Sequence, residues 1–203
     1  MKLFLGIISA VSFFLITSFS NFPTKKTAEK TVIDFSLKNT DGKFISLKDY
    51  PNAKGFMIVF TCNYCPFAKL YPERLNALNE KYVALDVPLI AISSTDTIQY
   101  ETDGYIYMVE KAQKEHFNFP YLYDGNQKVA KHFDADKTPH AYLIWKENNT
   151  WIVKYNGAID DNGAEPEKVE NAYLSMAVEA LLNGNRPQIS ETKSIGCQIH
   201  FRK

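Results

Sequence analysis

The sequence predicts an α/β protein: a three-layer sandwich with a central mixed sheet and an N-terminal hairpin. Three observations carry this reading. Short apolar stretches of strand length alternate with segments of helical period. A turn signal, Asn39-Thr40-Asp41-Gly42, separates two early strand-like stretches. Two later strand-like stretches joined by Glu147-Asn148-Asn149 precede a final helical segment.

Taken in order, residues 32–37 read as a short strand, and residues 43–47 alternate as its hairpin partner. Residues 55–60 form an unbroken apolar run. Apolar side chains on both faces predict a central, fully buried strand. From 65 to 82 the period changes, with Leu70, Leu75, Leu78 and Tyr82 at helical spacing and Glu73, Arg74, Glu80 and Lys81 opposite. Pro72 is expected to kink this helix, because it lacks a backbone donor. Strands are expected at 87–92 and 121–123, helices at 105–117 and 127–133, and an antiparallel pair at 141–145 and 151–155. A terminal helix is expected over 167–182, stopped by Asn183-Gly184-Asn185. No internal repeat or low-complexity tract is present.

Length and charge narrow the function classes. The chain has 203 residues, enough for one domain with appendages. Basic and acidic residues balance at 23 each, so no charge excess points to nucleic acid. The N-terminus differs in kind. Lys2 precedes a run from 3 to 16 without charge, and Ser18-Phe19-Ser20 supplies small residues around a cleavage point. The expectation is a signal peptide over 1–20, a polar linker over 21–30, a domain over 31–186 and a C-terminal tail over 187–203. An uncleaved N-terminal anchor is the alternative. The run is short for a membrane span, so no stable span is expected after cleavage. The protein is expected to be exported, to the periplasm or cell envelope if bacterial.

Cys62, Cys65 and Cys197 are the three cysteines. Three are too few for a disulfide scaffold, so they read as chemistry rather than staples. The order of buried strand, Cys62-Asn63-Tyr64-Cys65 and helix is the informative context. A helix N-terminus presents unpaired N–H groups and a positive dipole end, which favour thiolate. On that basis Cys62 is expected to be an exposed nucleophile, and Cys65 the thiol that closes the disulfide or releases a bound partner. A static disulfide is the alternative. Structural zinc is disfavoured: His116, His132, His140 and His200 are not spaced as ligand pairs. No metal or cofactor is expected. Cys197 reads either as an auxiliary redox thiol or as a tail thiol packed on the domain. His140, beside Pro139, reads as a strand-start histidine or as a residue facing the cysteines. Asp160-Asp161 reads as a strand-ending turn.

Together these residues resemble a known superfamily. The stretch 32–47, with Asp34-Phe35 and Asp41-Gly42-Lys43, is similar to the opening of AhpC/TSA–redoxin proteins. Thr61-Cys62-Asn63-Tyr64-Cys65-Pro66, Thr138-Pro139, Gly157-Ala158-Ile159-Asp160-Asp161 and the tail Ser194-Ile195-Gly196-Cys197 resemble its peroxiredoxin-like, thioredoxin-like branch. The resemblance implies a thioredoxin fold and thiol redox chemistry. It also implies that Thr138-Pro139 lies opposite the cysteines with a cis bond, where the Thr138 backbone binds an extended substrate. Departures matter. Relatives often carry cysteine before the Thr-Pro pair, where this chain has Lys137. Thioredoxin's buried aspartate is replaced by Phe56, so proton transfer is expected to use solvent or another group.

The expected function is exported thiol–disulfide exchange on protein or small-molecule disulfides, with an unidentified redox partner. Two alternatives stand beside it. A thiol peroxidase is disfavoured, because Val59 and Gly55 stand where the peroxidatic motif has threonine and proline, and no arginine lies between Arg74 and Arg186. A copper(I) metallochaperone would use Cys62 and Cys65, with His140 as a third ligand.

Overall fold

The computed structural model describes residues 30–202. The signal-peptide and linker assignments for residues 1–29 lie outside the described residues.

A central strand organises the fold. Strand β4 (Gly55–Thr61) is buried along its whole length, as the two-faced apolar run predicts. It pairs in parallel with β5 (Leu89–Ser93) and antiparallel with β8 (His140–Glu147). Strand β8 continues into β9 (Thr150–Gly157) as an antiparallel hairpin. With β1 (Thr31–Val32), β2 (Ser36–Asn39), β3 (Phe44–Ser46) and β6 (Tyr121–Tyr123) they form an eight-stranded mixed sheet, in the order β1-β9-β8-β4-β5-β6-β2-β3.

The alternation of β4 divides the core into two layers. Met57 and Val59 face a cluster built on Leu75 of α1 (Pro72–Val83), Met108 of α2 (Tyr105–Lys114) and Val178 of α4 (Tyr173–Leu182). Phe56, Ile58 and Phe60 face Val129 and Phe133 of α3 (Lys128–Phe133), together with Leu37 and Leu47. Each large apolar side chain so buried contributes roughly 1.5–3 kcal/mol. The fold is the expected thioredoxin-like sandwich, helices on both faces of a mixed sheet with the β2–β3 hairpin near its N-terminus.

Three expectations are corrected. The stretch 32–37 is two strands rather than one: β1 pairs with β9 at one edge of the sheet, and β2 pairs with β3 and β6 at the other. The helix expected over 65–82 starts at Pro72, which occupies its first turn. There its missing N–H is one of the donors a helix leaves unpaired anyway, so it begins the helix instead of kinking it. Residues between Cys65 and Tyr71 form turns and a short 3₁₀ segment, Ala68–Leu70. The last helix begins at Tyr173 rather than 167. The Asp161 carboxylate accepts hydrogen bonds from the Glu170 (3.1 Å) and Asn171 (2.9 Å) N–H groups, and this diverts the backbone from helix just before it.

Over its described residues, 187–202, the C-terminal tail packs onto the domain. Two short strands, β7 (Lys137–Thr138) and β10 (Cys197–Gln198), pair antiparallel as a separate two-stranded sheet. Ile199 is buried in the second core layer, 2% exposed.

Candidate redox site

Strand β4 ends at Thr61 and delivers Cys62 to the end of the sheet, where β7 and the start of β8 also arrive. Cys62, Cys65 and Ala68 form a small buried cluster against which Cys197 packs. The Thr138–Pro139 bond is cis. Thr138 touches both sulfurs of the Cys62-Asn63-Tyr64-Cys65 motif. Its hydroxyl is 3.3 Å from Cys62 Sγ, and its carbonyl oxygen is 3.1 Å from Cys65 Sγ. The Cys65 N–H donates to Cys62 Sγ at 3.3 Å.

The disulfide in this structure joins Cys65 to Cys197, with Cα atoms 5.9 Å apart, and leaves Cys62 as the free thiol. Strand β10 holds Cys197 opposite Thr138 in register. Gly196 makes the approach possible: a Cβ there would overlap the Thr138 carbonyl group. The backbone edge that the family resemblance assigns to an extended substrate is thus paired with the chain's own tail.

Two expectations about Cys62 are corrected. It is not exposed: Cys62 and Cys65 are 4% and 5% accessible, whereas Cys197 is partly exposed. Nor is its thiolate favoured. Burial, and then the nearby Asp103 carboxylate, push the Cys62 thiol above its ordinary pKa. The Thr138 hydroxyl, the Cys65 N–H and the Lys111 ammonium pull the other way without prevailing. The reason is local geometry. Helix α1 starts only at Pro72, so neither cysteine lies in its first turn, where the dipole acts.

Residues that sequence patterns did not single out complete the site. Asp103 is 4% exposed, and its carboxylate accepts the N–H groups of Asn63 (2.6 Å) and Tyr64 (3.2 Å). It therefore fixes the loop between the two cysteines. Burial raises its own pKa, opposed by those N–H groups and by Lys111. Lys111 donates to the Cys62 carbonyl oxygen at 2.8 Å, and burial lowers its pKa. Tyr121 donates to the Asn63 side-chain oxygen at 2.9 Å. Asp103 is a buried carboxyl group beside Cys62 that comes from a different segment than thioredoxin's aspartate. The segments bearing Asp103 and Lys111 meet the cysteine loop only in three dimensions, and no local spacing announces them.

The remaining candidates take structural places. His140 stacks on Tyr142, with ring centroids 4.5 Å apart, and faces Asp136 at 3.5 Å. Burial outweighs that carboxylate and pushes the His140 pKa down to about 4. No group of three His, Cys, Asp or Glu residues suited to a metal ion occurs among the described residues. Asp160 is buried and receives Arg74 at 2.7 Å and the Tyr71 hydroxyl at 3.0 Å. Arg74 also donates to the Asn162 and Gly163 carbonyl oxygens, so it is committed to closing this turn.

The AhpC/TSA family profile matches residues 28–162. The chain belongs to the AhpC/TSA family. Comparison with curated proteins finds no match. Among solved structures, the chain resembles an uncharacterized conserved protein from Geobacillus kaustophilus at 34% identity and TM-score 0.78, covering 86% of this chain and 92% of that one. A hypothetical protein from Sinorhizobium meliloti is similar at 28% identity and TM-score 0.79, covering 87% and 95%. A putative thiol:disulfide interchange protein DsbE from Chlorobium tepidum shares the fold at 17% identity and TM-score 0.57, covering 76% and 96%. AhpC/TSA redoxins are generally oxidoreductases, and this chain carries the family fold with Cys62 and Cys65 following its central strand and Cys65 bonded to Cys197.

Proposed function

We propose that the protein is an exported thiol–disulfide oxidoreductase acting on protein or small-molecule disulfides, with Cys62 as nucleophile and Cys65 as the resolving thiol. One observation carries the reading: the two motif sulfurs converge on Thr138, and the Cys65 N–H points at Cys62 Sγ. That N–H and the Thr138 hydroxyl are the groups that would steady a thiolate on Cys62.

In the reduced protein, the Cys62 thiolate attacks one sulfur of a substrate disulfide and expels the other as a thiolate. The Cys65 thiolate then attacks Cys62 Sγ in the mixed disulfide and expels the second substrate thiolate. Two electrons pass to the substrate and a Cys62–Cys65 disulfide remains. Two protons leave the cysteines and two are taken up by the product thiols. The buried Asp103 carboxyl is positioned to influence the first of these. Thr138 and Pro139 shape the wall against which substrate sulfur is presented. Export rests on the uncharged run at 3–16.

The test is exchange between a dithiol donor and a disulfide acceptor, comparing Cys197→Ser with the double variant Cys62→Ser/Cys197→Ser, so that the tail thiol does not stand in for Cys62. Equal rates would eliminate the reading.

A further inference from the structure

We propose that Cys197 is a third reacting cysteine, through which the buried Cys62–Cys65 pair exchanges with disulfides outside the protein. This deepens the exchange reading above and rests on it.

The first support is connectivity. Cys65 is bonded to Cys197 while its N–H contacts the free Cys62 sulfur. Cys65 therefore has a thiol neighbour on one side and a disulfide partner on the other. The second support is access. Cys62 and Cys65 are closed to solvent and Cys197 is not, so an external disulfide meets Cys197 first. Strand β10 also fills the Thr138 edge, which removes the usual backbone route by which an extended peptide would reach the buried pair.

The third support is that the chain on both sides of Cys197 is anchored by contacts other than its disulfide. Before it, Thr192 is held by the Asn156 carbonyl oxygen (3.0 Å) and the Tyr155 hydroxyl (2.7 Å). After it, the Ile199 N–H donates to the Asp136 carbonyl oxygen at 2.8 Å, and Gln127 binds the His200 carbonyl oxygen and the Arg202 N–H, each at 2.7 Å. Only the six residues 193–198 lie between these anchors. A released Cys197 thiol therefore stays at high effective concentration beside Cys65.

The step is an isomerisation that needs no outside oxidant. The Cys62 thiolate attacks Cys65 Sγ, the Cys62–Cys65 bond forms, and the Cys65–Cys197 bond breaks with its electron pair on Cys197 Sγ. The proton lost by Cys62 is balanced by one gained at Cys197. In the fully reduced chain, where Cys65 is a free thiol, the Cys197 thiolate attacks one sulfur of an external disulfide and expels the other as a thiolate. The Cys65 thiolate then attacks Cys197 Sγ, expels the second thiolate and forms Cys65–Cys197, which the isomerisation passes inward to Cys62–Cys65.

The experiment uses the full chain with glutathione disulfide as probe. The chain is equilibrated in glutathione buffers, quenched in acid, alkylated and mapped by mass spectrometry. Reaction rates of the reduced native chain, Cys197→Ser and Cys62→Ser are then compared. The expected results are both Cys65–Cys197 and Cys62–Cys65 in the native chain, glutathione carried on Cys197, and a rate lowered about tenfold or more in Cys197→Ser. Cys62→Ser should hold only Cys65–Cys197. A native rate in Cys197→Ser, with exchange still dependent on Cys62, overturns the relay and leaves the exchange reading standing. Loss of exchange in the native chain removes both. Should Cys197→Ser fail to fold, the native map decides alone: Cys65–Cys197 as the sole disulfide at every potential marks a static staple and refutes the relay.

Discussion

Acid should destabilise this protein through His140 in particular. The imidazole is buried against Tyr142, and its pKa is pushed from 6.5 down to about 4. The unfolded chain takes up the proton near 6.5, whereas the folded one resists it until about 4. Stability from this depressed pKa is fully present above 6.5 and is lost as pH falls toward 4. Linkage over that interval gives a loss of about 2 kcal/mol by pH 5 and about 3 kcal/mol by pH 4. Carboxylates add their own acid loss at the lower end, so the contribution is isolated by difference. Urea unfolding of the native chain and of His140→Gln, both at pH 7.5 and pH 5, gives that difference. The native chain should lose about 2 kcal/mol more than the variant over this range. An equal loss in both chains would show that His140 is not the group that charges on unfolding. His140 pairs with Phe60 of β4 next to Pro139, so this proton is taken up beside the wall of the cysteine site.

Further outcomes are expected at the site and its supports. In the disulfide form Cys62 is the free thiol, so the pH dependence of its alkylation reports its pKa directly. Asp103→Asn should shift that profile to lower pH and Lys111→Met to higher pH, because the carboxylate raises and the ammonium lowers the Cys62 pKa; profiles that coincide would refute the electrostatic account. Gly196→Ala drives a methyl group into the Thr138 carbonyl and should cost roughly 1–3 kcal/mol in thermal or urea unfolding, with poor recovery of the Cys65–Cys197 bond after reduction. Arg74→Leu strands the buried Asp160 carboxylate and should cost about 3–5 kcal/mol, most of it regained when Asp160→Leu is added.

The parts of this molecule legible in the sequence are those set by local pattern. The run at 55–60 could only be a two-faced buried strand, and a CxxC directly after it places the motif at the end of the sheet. The 141–145 and 151–155 stretches with their intervening turn are likewise a local unit. What was not legible depends on distance or on the sense of a single residue. Pro72 reads as a kink if the helix is taken to start at Cys65, and as a start once the helix begins there; Glu73 just after it, in the first turn, was the available signal. The Cys65–Cys197 pairing spans 132 residues, and no spacing rule reaches that far. Gly196 beside Cys197 hinted at a close backbone approach, but not at what it approaches. Asp103 and Lys111 meet Cys62 only because the segment that follows β5 folds back over the cysteine loop.

The division of the first strand has a consequence for assembly. Residues 31–39 are fastened to both ends of the sheet, with Thr31 opposite Ile152 at one edge and Asn39 opposite Leu122 near the other. A chain emerging from its N-terminus can pair β2 with β3 at once, but must carry β1 unpaired until β9 has followed. These are contacts of long sequence separation, and such contacts slow folding because the loop must close before they contribute. Strand β1 is thus among the last to find its partner, and the β8–β9 hairpin is the template on which it completes the sheet.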